Sequence, residues 1–387
     1  MVKIRTPGHG IILDSLIMYG ILGSIKSYDE NILSDIVITF TGNEYVIDIE
    51  GLSRNVIVEA IINFARKYSS NIVRRLVDES GVIQKQSRAK LESTIKVLTN
   101  SKLVNEYIAD LESPLHLLRF GEGRISGTSR RIRVETVWLA IMPTAGKFLI
   151  KDYKAVIKEY KICIVCKGLA LIGLFIIGLM GASSLKSRRR KTHTKAKGGG
   201  SIEIIPIIDG VLEAKLIGYY IDAISYKYTD LYKKISNSID TLPGYLIPKV
   251  VLIDLATAPQ GPKLFDLMRE SGSSWHMVSI KFDIGARRLM GFEEINIDPL
   301  ILGITSIKPS IIARLNEIID LAIRRLRAKK LGVKGIKIDV DTIDLIVKYL
   351  EYRDLDSLYK AIREIYKDEE ARKLLSLDLA RELTSII

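Results

Sequence analysis

The reading of this chain turns on residues 162–200. They run Ile162-Cys-Ile-Val-Cys-Lys-Gly-Leu-Ala-Leu-Ile-Gly-Leu-Phe-Ile-Ile-Gly-Leu-Met-Gly-Ala182, then pass into Lys186, Arg188, Arg189, Arg190, Lys191, Lys195 and Lys197, and close on Gly198-Gly199-Gly200. Such a run is either a membrane anchor with a charged flank or a buried helix that delivers a cationic loop to nucleic acid. Residues 168–185 are 18 uncharged positions, about 27 Å as a helix against a hydrocarbon core of about 30 Å. Reaching full spanning length takes in Lys167. Both flanks are basic, with Lys151, Lys154, Lys158 and Lys161 ahead of the run and the arginine cluster behind it, so charge bias sets no orientation. The chain opens on Lys3, Arg5 and a Pro7-Gly8-His9-Gly10 turn, not on a signal peptide. The expectation is therefore a buried helix in a cytoplasmic protein, with a single-pass membrane protein as the alternative.

Composition points the same way. The 387 residues are 47% apolar and 27% charged, which describes a folded chain of two or three domains with adequate cores. Lys and Arg outnumber Asp and Glu by 58 to 45, a formal charge of +13, and such an excess favours polyanionic partners, nucleic acid foremost. Cys163 and Cys166 are the two cysteines of the chain, which fits a reducing compartment. The isoleucine- and lysine-rich, cysteine-poor usage is one that thermophilic prokaryotes show.

The expected fold class is α+β: a mixed N-terminal and central region followed by a helical C-terminal domain. Residues 11–22 read as a mostly buried helix, and 35–41 with 45–49, split by Gly42-Asn43-Glu44, as a β-hairpin. Residues 55–67 and 87–110 carry helical periodicity, and 131–142 reads as a strand. Beyond Gly200, residues 202–208 form an apolar run, 211–224 is strand or helix, and 249–255 reads as a continuous apolar strand ending near Asp254. Two short strands are expected within 276–297, around Gly285 and Gly291. Helices are expected over 309–330, 341–351, 354–367 and 368–386, with Asp341 and Ser357 near helix starts and a junction at Gly332 and Gly335. The corresponding division is 1–160 as an α+β domain, 161–200 as apolar helix plus basic loop, 201–307 as an α/β central region, and 308–387 as the helical domain.

Three segments carry chemistry. Residues 119–133 hold Arg119, Arg124, Arg130, Arg131 and Arg133 with Gly121, Gly123 and Gly127. Glycines let a backbone approach phosphates and arginine forks grip them bidentately, while a solvated hairpin loop is the plainer reading. Residues 186–197 hold seven cations and no acid, Arg188, Arg189, Arg190 and Lys191 at their centre; like charges at that density repel unless a polyanion neutralises them. Arg324, Arg325, Arg327, Lys329 and Lys330 end a helix, where cations complement the dipole, and Lys334 and Lys337 extend them toward a phosphate-facing surface.

A catalytic constellation is not legible. Cys163-x-x-Cys166 has the spacing of half a zinc site, but the chain supplies no second cysteine pair, so buried inert thiols are the expectation and no metal is assigned. His9, His116, His193 and His276 sit in no catalytic pattern, Pro143-Thr-Ala-Gly-Lys147 lacks the frame of a phosphate loop, and Asp339, Asp341 and Asp344 read as helix-start acids. No cofactor is implied. A nucleic-acid-processing enzyme stays open as a further alternative.

Pro7-Gly8-His9-Gly10 with Leu13-Asp14 and Tyr19-Gly20, and the Cys163–Cys166 pair running into Leu169-Ala-Leu-Ile-Gly-Leu174, resemble the archaeal CRISPR-associated large subunits, in particular those of the type I-A (Apern) Cascade complex. The length, basic charge and helical C-terminus are similar as well. The resemblance implies a non-catalytic subunit of an RNA-guided DNA interference complex in antiviral defence. Its partners would be the other Cascade subunits, CRISPR RNA, target DNA and the helicase-nuclease subunits, and its task recognition of the short motif flanking the target and stabilisation of the displaced strand. Some relatives carry two cysteine pairs where this chain has one.

Overall fold

The computed structural model describes residues 2–112, 134–137, 161–183, 200–283, 288–369 and 372. In chain order these form β1 (Val2–Arg5), α1 (Ile11–Tyr28), β2 (Ile36–Phe40), β3 (Tyr45–Ile49), α2 (Arg54–Val73), α3 (Arg88–Val97), α4 (Ser101–Leu111), β4 (Val134–Thr136), β5 (Lys161–Cys163), α5 (Ile164–Ile177) and β6 (Leu179–Ala182). Then come β7 (Gly200–Asp209), β8 (Val211–Glu213), α6 (Ala214–Ser238), α7 (Leu246–Leu255), α8 (Gly261–Glu270), β9 (Ser274–Asp283), β10 (Arg288–Asn296), α9 (Asp298–Thr305), α10 (Pro309–Lys330), α11 (Val340–Tyr352) and α12 (Leu355–Tyr366). The α+β class is borne out, with the C-terminal region helical from α9 onward.

Two antiparallel four-stranded sheets organise the rest. One has the order β1-β3-β2-β8 and the other β10-β9-β7-β6, while β4 and β5 form a two-stranded ribbon. The expected hairpin at 35–49 is the β2–β3 pair, with Ile38 opposite Ile47. On its other edge Ile38 faces Leu212 of β8, so strands from before residue 160 and after residue 200 share a sheet. The strands expected within 276–297 are present and longer than read: β9 and β10 pair from His276–Asn296 to Asp283–Arg288.

α1 and α5 form the centre. α1 is buried over Ile12–Ile25 because its sequence is apolar on nearly every side, the signature of a core helix. Among the described residues it is the helix long and apolar enough to cross a membrane, 18 residues with a mean hydropathy of 1.3, and here protein surrounds it. The helix expected across 162–185 is shorter. α5 has 14 residues, about 21 Å, and strands flank it. Cys163 starts α5, its sulfur accepting the Cys166 N–H at 3.2 Å. Gly178 ends it, where a Cβ would lie 2.4 Å from the Leu174 carbonyl oxygen.

The strand expected at 249–255 is a correction. Leu246–Leu255 is helical and buried on all sides. A short apolar run enclosed by protein has the same pattern as either element, and Pro248 fits the first helical turn, where no amide donor is required. The ambiguous run 211–224 resolves into both elements, the short β8 and then α6 of 25 residues.

Candidate nucleic-acid interface

Arg119, Arg124, Arg130, Arg131 and Arg133, and likewise Arg188, Arg189, Arg190 and Lys191, lie outside the described residues; the elements that carry the two segments are described. The first segment leaves α4 beside Glu112, whose carboxylate takes two hydrogen bonds from Arg54 at 2.7 and 2.6 Å. It returns at β4, where Glu135 is buried and accepts from Lys167 of α5 at 2.8 Å. The second segment leaves from Ser183 and returns at Gly200, and these two are joined: the Ser183 N–H donates to the Gly200 carbonyl at 2.7 Å. One segment is thus seated ahead of α5 and the other behind it.

The flanks of the second segment rest on the C-terminal end of α6. Gly181 comes so close that a Cβ there would lie 2.6 Å from Ile235 Cγ2, and one at Gly200 would lie 3.3 Å from Ile239 Cγ2. The Ser183 hydroxyl donates to the Asp240 carboxylate. A helix ends with carbonyls that lack intrahelical partners and carry partial negative charge. Cations from elsewhere take them here: Lys281 of β9 donates to the Ile239 carbonyl at 2.8 Å, and Lys330, the last residue of α10, donates to the Asp240 carbonyl. One turn back, the Arg327 guanidinium donates to Asn237 Oδ1. The basic end of α10 therefore stands beside the stems of residues 184–199, a convergence of two sequence-distant basic stretches that spacing alone does not reveal.

Behind this corner a cleft of about 350 Å³ separates α6 from α10, bordered by Lys227, Lys233, Asn237, Asp320 and Arg324. Its floor is a buried polar network. Asp254 of α7 lies 3.2 Å from both Lys227 and Lys234 and accepts from Asn316 Nδ2 at 3.1 Å. Lys234 also donates to Asn316 Oδ1 at 2.5 Å and pairs with Asp320 at 2.9 Å. Burial would raise the Asp254 carboxyl, but the two ammonium groups outweigh it and hold the group below the usual carboxylate range. By sequence Asp254 reads as the end of a strand, and the pattern does not single out Lys227, Lys233 or Lys234. The available signal was the exposed stripe of α6, positions 226, 230, 233 and 237 at helical spacing.

Cys163 and Cys166 are buried and form no disulfide. Among the described residues no group of three or more His, Cys, Asp or Glu is arranged to hold a metal ion. Asp339 occupies the position before the first turn of α11 and Asp341 lies within that turn, so these acids do stand at a helix start.

Residues 2–384 match the family described as CRISPR-associated protein (Cas_Csa4). The chain belongs to that family. A relative from Thermoproteus tenax, described as CRISPR system associated protein Cas8, is 24% identical over 216 residues, 50% of this chain and 54% of the relative. The chain thus spans about half the length of the curated relative it matches. The resemblance drawn to CRISPR-associated large subunits is borne out at the level of the family. Within this Csa4-family chain the residues that carried it are packing residues. Asp14 accepts the N–H groups of Gly8 at 3.0 Å and Gly10 at 2.8 Å, and Gly20 lies against the backbone of α5.

Proposed function

We propose that this chain is the non-catalytic large subunit of a CRISPR RNA-guided DNA interference complex of the type I-A layout. It binds target DNA through the cationic segments 119–133 and 186–197 and reads the short motif flanking the target. Base pairing with the guide RNA carries most of the sequence information, so the protein's share is phosphate contact, local readout and positioning. CRISPR RNA, target DNA, the other Cascade subunits and the helicase-nuclease subunits are its partners, and bond breaking belongs to the last of these. The observation that carries the reading is the seating of both stems of residues 184–199 beside the basic end of α10.

The test is charge reversal of Arg188, Arg189, Arg190 and Lys191 to Glu in the full chain, followed by a gel-shift titration on duplex DNA at several salt concentrations. Loss of four phosphate contacts should weaken binding at least tenfold and flatten the salt slope by about 3.6 log units per log unit of salt. Affinity held within twofold would remove that segment from the DNA contact. Metal-dependent cleavage by the isolated chain, abolished by no charge reversal, would overturn the non-catalytic assignment.

A further inference from the structure

We infer that the outer edge of β10 is a docking strand for an extended, lysine- or arginine-bearing segment of another protein subunit, which joins the sheet β10-β9-β7-β6 as a further strand. The inference rests on the interference-complex reading for the source of that subunit. The edge and its chemistry are read from the described residues alone.

The edge is open and unguarded. β10 has nine residues and pairs with β9 on one side; among the described residues no strand pairs with its other side. The Ile297 N–H donates to the Trp275 carbonyl at 2.9 Å. Bonded and non-bonded pairs alternate along an antiparallel ladder. Ile295 and Glu293 therefore bond toward β9, while the main-chain N–H and C=O of Phe292 and Glu294 turn outward. Proteins blunt such edges with short strands, lysines or prolines. The other described edges show this: β8 has three residues and β6 four, and Lys3 and Arg5 of β1 form ion pairs with Asp48 and Glu44. β10 contains neither lysine nor proline. Its irregularity lies between Leu289 and Gly291, ahead of the regular stretch 292–296.

The side chains on this edge set the chemistry of the occupant. Met290 is 59% exposed and Phe292 40%, the latter opposite the buried Ile280 of β9. Acids follow at once. Glu294 is exposed, and the ring nitrogen it meets is that of His276 at 3.3 Å, with no lysine or arginine paired to it among the described residues. Glu293 turns to the opposite face, where a Cβ on Gly244 would lie 2.8 Å from its Oε1. Its Oε2 is shut off from solvent without a hydrogen-bond partner. In a chain of net charge +13 this edge thus carries an acid on each face. A phosphate strand is repelled there. A second copy pairing about residues 292–294 would set these acids near their own counterparts, a like-charge arrangement that destabilises a strand pair. An extended segment with an apolar residue against Phe292 and cations toward Glu293 and Glu294 satisfies main chain, ring and charge together.

Amide hydrogen exchange read by mass spectrometry tests this on the full chain, both alone and within the complex purified through a tag on it from cells that assemble it. Residues 290–296 should exchange about tenfold or more slowly in the complex than in the isolated chain. Glu294→Lys combined with Phe292→Thr should abolish that protection and cut recovery of one protein subunit about tenfold, while the isolated variant melts like the parent. Unchanged exchange at 290–296 in a complex that holds other subunits overturns the docking strand and leaves the interference reading standing. Protection that the double variant retains overturns it too. Protection that grows with concentration in the isolated chain would make the occupant a second copy. Protection removed by nuclease while every protein subunit stays bound would make it nucleic acid. Either result overturns the inference. A chain recovered with no other subunit sinks both readings.

Discussion

Gly20 of α1 and Gly173 of α5 meet backbone to backbone. A Cβ on Gly20 would fall 2.2 Å from the Leu169 carbonyl oxygen, and one on Gly173 would fall 1.9 Å from that of Leu16. No side-chain rearrangement relieves contacts of that kind, because the obstacle on each side is main chain. The two glycines therefore set how closely the central helices approach, and with it the position of everything that hangs from α5.

Gly173→Ala tests the contact. Alanine gains roughly 1 kcal/mol in helix propensity over glycine, whereas forcing a methyl into a packed contact costs about 1–3 kcal/mol or more. The clash wins here, and the melting temperature should fall by several degrees. Gly291→Ala is the control, since its nearest neighbour would be 3.9 Å away at Lys281 Cβ, and its stability should stay within about 0.5 kcal/mol of the parent. Equal melting of all three chains would mean that the helices do not need glycine to cross.

Lys167 in the apolar run counts against a membrane span when read as sequence, and the structure gives it a partner inside the protein. It is fully buried and pairs at 2.8 Å with Glu135, itself 6% exposed, which ties β4 to α5 just downstream of residues 119–133. Lys167→Met alone takes the nearest cation from a buried carboxylate and should cost about 3–5 kcal/mol. Lys167→Met with Glu135→Leu should recover most of that in urea denaturation. A double variant as unstable as the single one would show that the pair is not what holds β4 in place.

Asp14 supplies a pH signature. Burial pushes its carboxyl up to about 7, against the pull of the Gly10 and Gly8 N–H groups and the Thr6 hydroxyl. The unfolded chain releases this proton near the ordinary value of 3.8. Between that pH and about 7 the folded state therefore holds a proton that the unfolded state has lost, and stability falls as pH rises through the window, levelling off above it. Asp14→Asn cannot titrate. The difference in urea midpoint between parent and variant should accordingly slope across pH 4–7 and be flat from pH 7 to 8. A flat difference throughout would place the Asp14 pKa near its ordinary value.

How much of this was legible beforehand depended on the kind of signal each feature carries. Alternation fixes strands, so β2, β3 and the β9–β10 hairpin could be read; helical periodicity located α2, α10, α11 and α12. The run Leu246–Leu255 could not be told apart from a strand, because enclosure on every side erases the amphipathic contrast that separates period 2 from period 3.6. Charge density flagged residues 119–133 and 186–197, and the outcome for their arginines lies outside the described residues. The cleft between α6 and α10 is not legible for a different reason. Lys233 and Arg324 are 91 positions apart, and only the packing of α6 against α10 puts them on one cleft.

The cysteine pair allows a last test. Cys163 precedes the first turn of α5 with its sulfur accepting the Cys166 N–H, and Cys166 Sγ lies 3.1 Å from the Tyr107 hydroxyl. A thiol at a helix N-terminus is ordinarily pushed toward its thiolate. Here burial dominates and raises the Cys166 thiol well above its usual value, with the neighbouring Cys163 adding to the effect. Neither sulfur should then react with a water-soluble disulfide reagent such as DTNB at pH 8 in the native state, and both should react at once in denaturant. Cys163→Ser keeps a capping oxygen and should melt close to the parent, whereas Cys163→Ala loses the cap and about 1 kcal/mol. Rapid native labelling would mean that the N-terminal turn of α5 opens to solvent, and with it the ribbon of β4 and β5 on which residues 119–133 are seated.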